Sequence, residues 1–151
     1  MPLIEIPADP ELLYFKQLLS DGKKILLFDV ECILCNRFIQ IIIKNDKNKN
    51  FVFGSLKGKN STKLREKLLL PVLIPGKNET VYLFNDKKIF QKSSAVLQTV
   101  RYMDNLWPSL FLLIIIPKVI RDFIYDLVAK NRYRIFGKTD KCYLGYKDLL
   151  P

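Results

Sequence analysis

Histidine is absent from the 151-residue chain, which removes every Cys-His nucleophile pair and most zinc ligand sets. Cysteine is scarce, and the three residues present cannot pair completely. The opening Met1-Pro2-Leu3-Ile4-Glu5-Ile6 lacks the basic and apolar regions of a signal peptide. A reducing, cytoplasmic setting is therefore expected, where a CxxC serves catalysis, redox exchange or metal binding more often than stapling. Long apolar runs are missing as well. Trp107 to Ile116 is apolar apart from Ser109, but Pro108 and Pro117 bracket only eight residues, well below the roughly 20 of a membrane span. No repeat, low-complexity tract or interdomain linker is visible. One domain is expected, with a core over about 23–105 and a C-terminal helical extension and basic tail over 106–151.

What is present suffices for a core: 49% of residues are hydrophobic and 12% aromatic. The net charge of +10, from 25 basic and 15 acidic residues, favours acidic partners by long-range attraction. The lysines are scattered through Lys44–Lys67 and Lys87–Lys92 and form no block, so a solvated surface is expected and no nucleic-acid partner.

Asp9-Pro10-Glu11 reads as a helix cap, an N1 proline and a first-turn acid ahead of Leu12, Leu13, Phe15, Leu18 and Leu19, with Ser20-Asp21-Gly22 as the stop. Lys23 to Phe28 is a buried strand. From Cys35 to Lys44 the chain is helical, since Arg37, Gln40 and Lys44 recur at spacings of three and four. Asn45 to Asn50 is a turn, Phe51-Val52-Phe53 opens a second strand, and Ser61 to Leu70 is a helix ended by Pro71. After a loop over 71–79, Thr80–Phe84 and Lys87–Gln91 form a hairpin around Asn85-Asp86. Ser93 or Ser94 caps the next helix, which carries Val96, Leu97, Val100 and Met103 at helical spacing. Trp107 to Ile116 is expected as a buried helix. The alternative for this stretch is a contact on a membrane surface, with Trp107, Arg101, Lys118 and Arg121 at its rims. Pro117 opens a last helix whose polar face holds Arg121, Asp122, Asp126 and Lys130, and the basic, aromatic-rich Asn131–Lys138 runs on towards Cys142.

Chemistry concentrates in Phe28-Asp29-Val30-Glu31-Cys32-Ile33-Leu34-Cys35, where a strand ends, acids follow and two cysteines open a helix. The arrangement is similar to that of thioredoxin-like oxidoreductases. A helix N-terminus favours a thiolate at Cys32, the attacking sulfur, and Cys35, one turn further in and more buried, resolves the mixed disulfide. Asp29 and Glu31 oppose the thiolate; Asp29 can instead accept the Cys35 proton. Arg132, Arg134 and Lys138 can neutralise these acids or bind an acidic partner, against the plainer reading of a solvated arm. Other readings of the stretch are two inert, packed cysteines, or a phosphatase-type strand with Asp29 as nucleophile and Glu31 as proton donor. A metal site of Cys32, Cys35 and Cys142 with Asp29 or Glu31 would be an uncommon ligand set.

Asp29, Cys32 and Cys35 match the Asp-x-x-Cys-x-x-Cys motif of the DCC family of thiol-disulfide oxidoreductases, followed by Asn36-Arg37. Lys92-Ser93-Ser94-Ala95-Val96-Leu97 resembles that family's helix start after the hairpin, and Tyr125 with Asn131–Lys138 resembles its C-terminal signature. The resemblance runs nearly the full length. It implies an α/β, thioredoxin-like fold with a leading N-terminal helix and extra C-terminal helices. Cys32, Cys35 and Asp29 are then the catalytic residues, with Glu31, Thr80, Arg132 and Arg134 facing substrate. No cofactor and no metal are expected. The partners implied are a protein or small-molecule thiol or disulfide and a redox partner the sequence does not identify. The alternative is a non-enzymatic thioredoxin-like binding module with structural cysteines, in peripheral contact with a membrane. The chain departs from the family pattern at Val30 and Ile33, where glycine and proline are usual, and from thioredoxins in having Glu79, not proline, before Thr80-Val81.

Overall fold

Alternation along one five-residue strand divides the protein into two layers. In the computed structural model, which describes residues 10, 12–68, 70, 79–85 and 88–141, β1 (Lys24–Phe28) sends Ile25 and Leu27 to one face and Leu26 and Phe28 to the other. None of the four is more than 1% exposed, and truncating Leu26 to alanine should cost about 2–5 kcal/mol. β2 (Phe51–Ser55) pairs parallel to β1, which requires a crossover. α2 (Ile33–Lys44) provides it. β3 (Tyr82–Phe84) pairs antiparallel to the other edge of β1, and β4 (Ile89–Gln91) pairs antiparallel to β3. The sheet order is β2-β1-β3-β4.

Helices cover both faces. α1 (Leu13–Ser20) and α3 (Lys59–Lys67) bring Phe15, Leu19 and Leu64 against Ile25, Leu27, Tyr82 and Phe84. On the opposite face α2 and α4 (Lys92–Arg101) bring Ile39, Ile42, Ala95, Leu97 and Val100 against Leu26, Phe28 and Leu83. A βαβ unit, a helix, a hairpin and a further helix on a four-stranded mixed sheet make the thioredoxin-like fold anticipated from the sequence.

Several boundaries differ from expectation. α3 starts at Lys59, because Gly58 takes the extended N-cap conformation there, and ends at Lys67. α4 starts directly after β4 with Gln91 as N-cap and no side-chain cap; Ser93, expected as a cap, donates instead to Asp122. β3 begins at Tyr82, because the Val81 N–H, two residues into the expected strand, donates to the Tyr125 hydroxyl at 3.1 Å. The Asp9 cap, Asp86 of the hairpin turn, most of the 71–79 loop and Cys142 lie outside the described residues.

The last third departs furthest. Trp107–Ile115 is a 3-10 helix with no buried residue, which corrects the expectation of a buried helix. At three residues per turn only a narrow row can face inward. Phe111 and Ile114, three apart, make that row and with Trp107 pack against the core cluster on the Leu26 face, while Leu112, Leu113 and Ile115 point to solvent. α5 (Lys118–Ile135) then runs through the stretch read as a solvated arm, so that Arg132 is a buried helical residue.

Candidate active site

The loop between β1 and α2 is shaped by its own motif residues. The Asp29 carboxylate accepts from the Glu31 N–H at 3.0 Å, an Asx-type turn, and the Cys32 N–H donates to the Asp29 carbonyl at 3.3 Å. From within α2 the buried Asn36 side chain donates to the carbonyls of Val30 at 2.8 Å and Cys32 at 3.0 Å. These bonds fix Cys32 as the N-cap of α2, where its sulfur accepts the Cys35 N–H at 3.3 Å.

That position polarises the two thiols in opposite directions. Both are free. Cys32 is lowered to about 7, first by the hydrogen bond from the Cys35 thiol, then by the Cys35 backbone N–H and the Arg132 charge, against burial and the Asp29 charge. The hydrogen bond to Cys32 raises Cys35 strongly, and burial and the charges of Cys32 and Asp29 raise it further. The pair is thus arranged as one thiolate and one donor thiol.

Their accessibility reverses the sequence expectation. Cys32 is 0% exposed and Cys35 is the partly exposed one. The reason lies after α5. Gly137, at φ +87°, turns the chain back, Lys138 forms an antiparallel bridge with Cys32, and the Thr139 N–H donates to the Glu31 carbonyl at 2.9 Å. A Cβ on Gly137 would meet Ile33 Cδ1 at 3.3 Å, so the returning strap also packs on the first turn of α2.

Charged residues surround the motif in near balance. The buried Arg132 guanidinium donates to Asp29 at 3.1 Å and Glu79 at 2.6 Å, and also to the carbonyls of Ala129 and Glu79. Tyr133 donates to the same Asp29 oxygen. Burial opposes the Arg132 charge, but Tyr133 and Asp29 raise it overall; burial and the Asp29 bond raise Tyr133. Lys57 lies 3.1 Å from Glu31 and 3.7 Å from Glu79, and Lys138 lies 3.8 Å from Glu31. Of the cations read as neutralising the acids, Arg132 therefore reaches Asp29 and Lys138 reaches Glu31. Arg134 is exposed and has no ion pair among the described residues.

A cavity of about 290 Å³ opens on the Cys35 side. Leu34 and Phe38 of α2, Val96 of α4 and Val128 of α5 give it apolar walls, and Asp29, Cys35, Glu79, Thr80, Tyr125 and Arg132 supply its polar atoms. Thr80, expected near substrate, lines it and donates to the Tyr125 hydroxyl at 3.0 Å. The buried Arg132 Nε has no acceptor among the described residues. Among the described residues no group of three or more cysteine and carboxylate side chains is placed to hold a metal ion.

Sequence reasoning gave no role to Glu79, Tyr125, Tyr133 or Lys57. Tyr125 and Tyr133 stood within stretches that carried the family resemblance, which was the available signal. Glu79 was marked only by standing before Thr80-Val81 where thioredoxins have proline, and Lys57 carried no signal, because only the fold brings them to Asp29 and Glu31.

The family model for DCC1-like thiol-disulfide oxidoreductases matches residues 26–138, from β1 to the strap. The uncharacterized protein YuxK of Bacillus subtilis is 35% identical over 121 residues, covering 80% of this chain and 86% of YuxK. A chloroplastic DCC family protein of Arabidopsis thaliana is 37% identical over 126 residues, 83% of this chain and 72% of that protein. No solved structure matches. With Asp29, Cys32, Cys35 and the α5 residues that bind Asp29 all inside the matched span, this chain belongs to the DCC1-like thiol-disulfide oxidoreductase family.

Proposed function

We propose that the protein catalyses dithiol-disulfide exchange, with Cys32 attacking and Cys35 resolving. The observation that carries this is the Cys32 sulfur at the α2 N-cap, which accepts the Cys35 N–H at 3.3 Å; its neighbour Cys35 lowers its pKa to about 7. The Cys32 thiolate attacks one sulfur of a substrate disulfide, forms the mixed disulfide and expels the other sulfur as a thiolate. Cys35 then attacks Cys32, the second substrate sulfur leaves, and two electrons have passed from the cysteine pair to the substrate. Asp29, which lines the same cavity as Cys35, takes the Cys35 proton as the resolving thiolate forms, while Arg132 and Tyr133 hold its carboxylate in place. Thr80 and Glu79 border the substrate, and a reducing cytoplasm keeps the pair ready as a dithiol.

One observation favours a second reading. A sulfur with no exposure under a paired strap fits structural cysteines in a binding module. A redox titration with glutathione buffers, paired with trapping in Cys35→Ser, separates the two. Exchange predicts a reversible Cys32–Cys35 disulfide and a mixed disulfide on Cys32 in the variant. If mild oxidation forms no intramolecular disulfide, the exchange reading is lost.

A further inference from the structure

α5 is assembled inside out. Its inward row, Asp122, Tyr125, Asp126 and Arg132, bonds to Ser93, Thr80, Lys92 and Glu79. The outward row, at the same spacings of three and four, is Ile120, Phe123, Leu127, Lys130 and Arg134. Ile120 is 52% exposed, Phe123 69% and Leu127 55%; at the corner that joins the 3-10 helix to α5, Ile115 is 82% and Val119 81% exposed. Amphipathic helices ordinarily turn such residues to the core, and a contiguous open apolar surface of this kind marks a contact site.

Charge decides what meets it. Between Leu106 and Ile135 the charged residues open to solvent are basic, Lys118, Lys130 and Arg134, apart from the Asp126 carboxylate, which is half exposed but held in an ion pair. The acids of the segment are turned to α4 or paired, Asp126 with Lys92 at 2.9 Å and Asp122 with Ser93 and Lys118. A second copy of this chain would bring like charges together, and an uncharged apolar partner would leave them unmatched. An anionic lipid surface matches both components.

We propose that the corner at Ile115–Ile120 and the outward row of α5 dock on anionic phospholipid membranes. Phe123, Ile120 and Leu127 enter the boundary between headgroups and acyl chains, and Lys130 and Arg134 meet the phosphates further along the same row. α5 lies in the interface, since no helix among the described residues is long and apolar enough to cross. Tyr125, Ala129 and Arg132 line the Cys35 cavity from the opposite side of α5, so docking requires no rearrangement of the cysteine site. The inference stands apart from the exchange chemistry.

The test is co-sedimentation of the full chain with vesicles of phosphatidylcholine alone or mixed with phosphatidylglycerol, at low and high salt, with circular dichroism as the check on folding. Binding is expected on the anionic vesicles, weakened tenfold or more by pure phosphatidylcholine or by high salt. Lys130→Gln with Arg134→Gln should weaken it by roughly tenfold or more, and Phe123→Ser with Leu127→Ser should remove it. Failure of the wild-type chain to bind anionic vesicles overturns the proposal. So does binding that survives the Phe123 and Leu127 changes, or a dimer lost in that variant without any vesicle binding, which would give the face to a second copy.

Discussion

Lys138 pairs with Cys32 across an antiparallel bridge, laying the chain that leaves α5 over the Cys32 turn. The cover is thin: one backbone hydrogen bond from Thr139 to Glu31, a long ion pair from Lys138 to Glu31, and the Gly137 turn. Thr139→Pro deletes the donor, worth about 1 kcal/mol net, and should raise the open population about fivefold. Alkylation of Cys32 by iodoacetamide, followed by mass spectrometry, is expected to accelerate by that factor. An unchanged rate would mean that reagent reaches Cys32 by another route, past Cys35.

The same sulfur should titrate near neutrality. Its folded value, about 7, lies below the ordinary 9.0, so ionisation of Cys32 favours the folded state. That stabilisation is complete above the unfolded value and is lost as pH falls through 7. The alkylation rate of Cys32 should therefore rise about tenfold per pH unit up to roughly 7 and then level off. Cys35→Ala removes the largest cause of the shift and should move the plateau up towards 9, whereas Cys35→Ser keeps a donor and should move it less. A wild-type plateau at the ordinary value would remove the thiolate from the mechanism.

The elements with strong local signals were legible without coordinates: the apolar β1 run, the helical spacing of α2, the hairpin and the CxxC at a helix start. Burial order was not. Nothing local to Cys32 says that residues more than a hundred positions later will cover it. Composition also misled at Trp107–Ile116, because an apolar stretch reads as core whether or not a sheet face remains to receive it. By that point α2 and α4 already cover the Leu26 face. The inverted α5 has the same origin: its acids face inward because Ser93 and Lys92 stand at the start of α4, a contact that neither helix's own periodicity reveals.

Arg132 and Arg134 sit two residues apart and should behave in opposite ways. Arg132 is the common partner of buried Asp29 and Glu79, and Arg132→Met leaves the two carboxylates with Lys57, a half-exposed cation 3.7 Å from Glu79, as their nearest positive charge. Loss of one partner from such a buried cluster costs about 3–5 kcal/mol. The same change should raise the Cys32 pKa, since the Arg132 charge lowers it. Arg134→Met should stay within about 0.5 kcal/mol and leave Cys32 unaltered. Urea unfolding and thiol titration of both variants check the contrast. Adding Asp29→Asn and Glu79→Gln to Arg132→Met should recover part of the loss; no recovery would mean that packing of the guanidinium, not its charge, is what the site requires.

If the protein exchanges disulfides as proposed, the cavity beside Cys35 should set a preference among them. Its apolar walls accept an uncharged arm, while its charged residues are Asp29 and Glu79 against Arg132 alone, so an anionic substrate meets a net negative border. In single-turnover assays of the reduced protein, a dibenzyl-type disulfide should react faster than glutathione disulfide by tenfold or more, about 1.4 kcal/mol in the barrier. Ala129 lines the cavity from α5, and Ala129→Phe narrows it. That variant should lose the preference while its rate with hydroxyethyl disulfide, too small to need the cavity, stays near wild type. Equal rates for the benzyl and glutathione disulfides in the wild-type protein would separate the cavity from substrate choice. A loss of rate with all three disulfides in Ala129→Phe would place the damage in the Asp29–Arg132 cluster one turn away and not in the cavity.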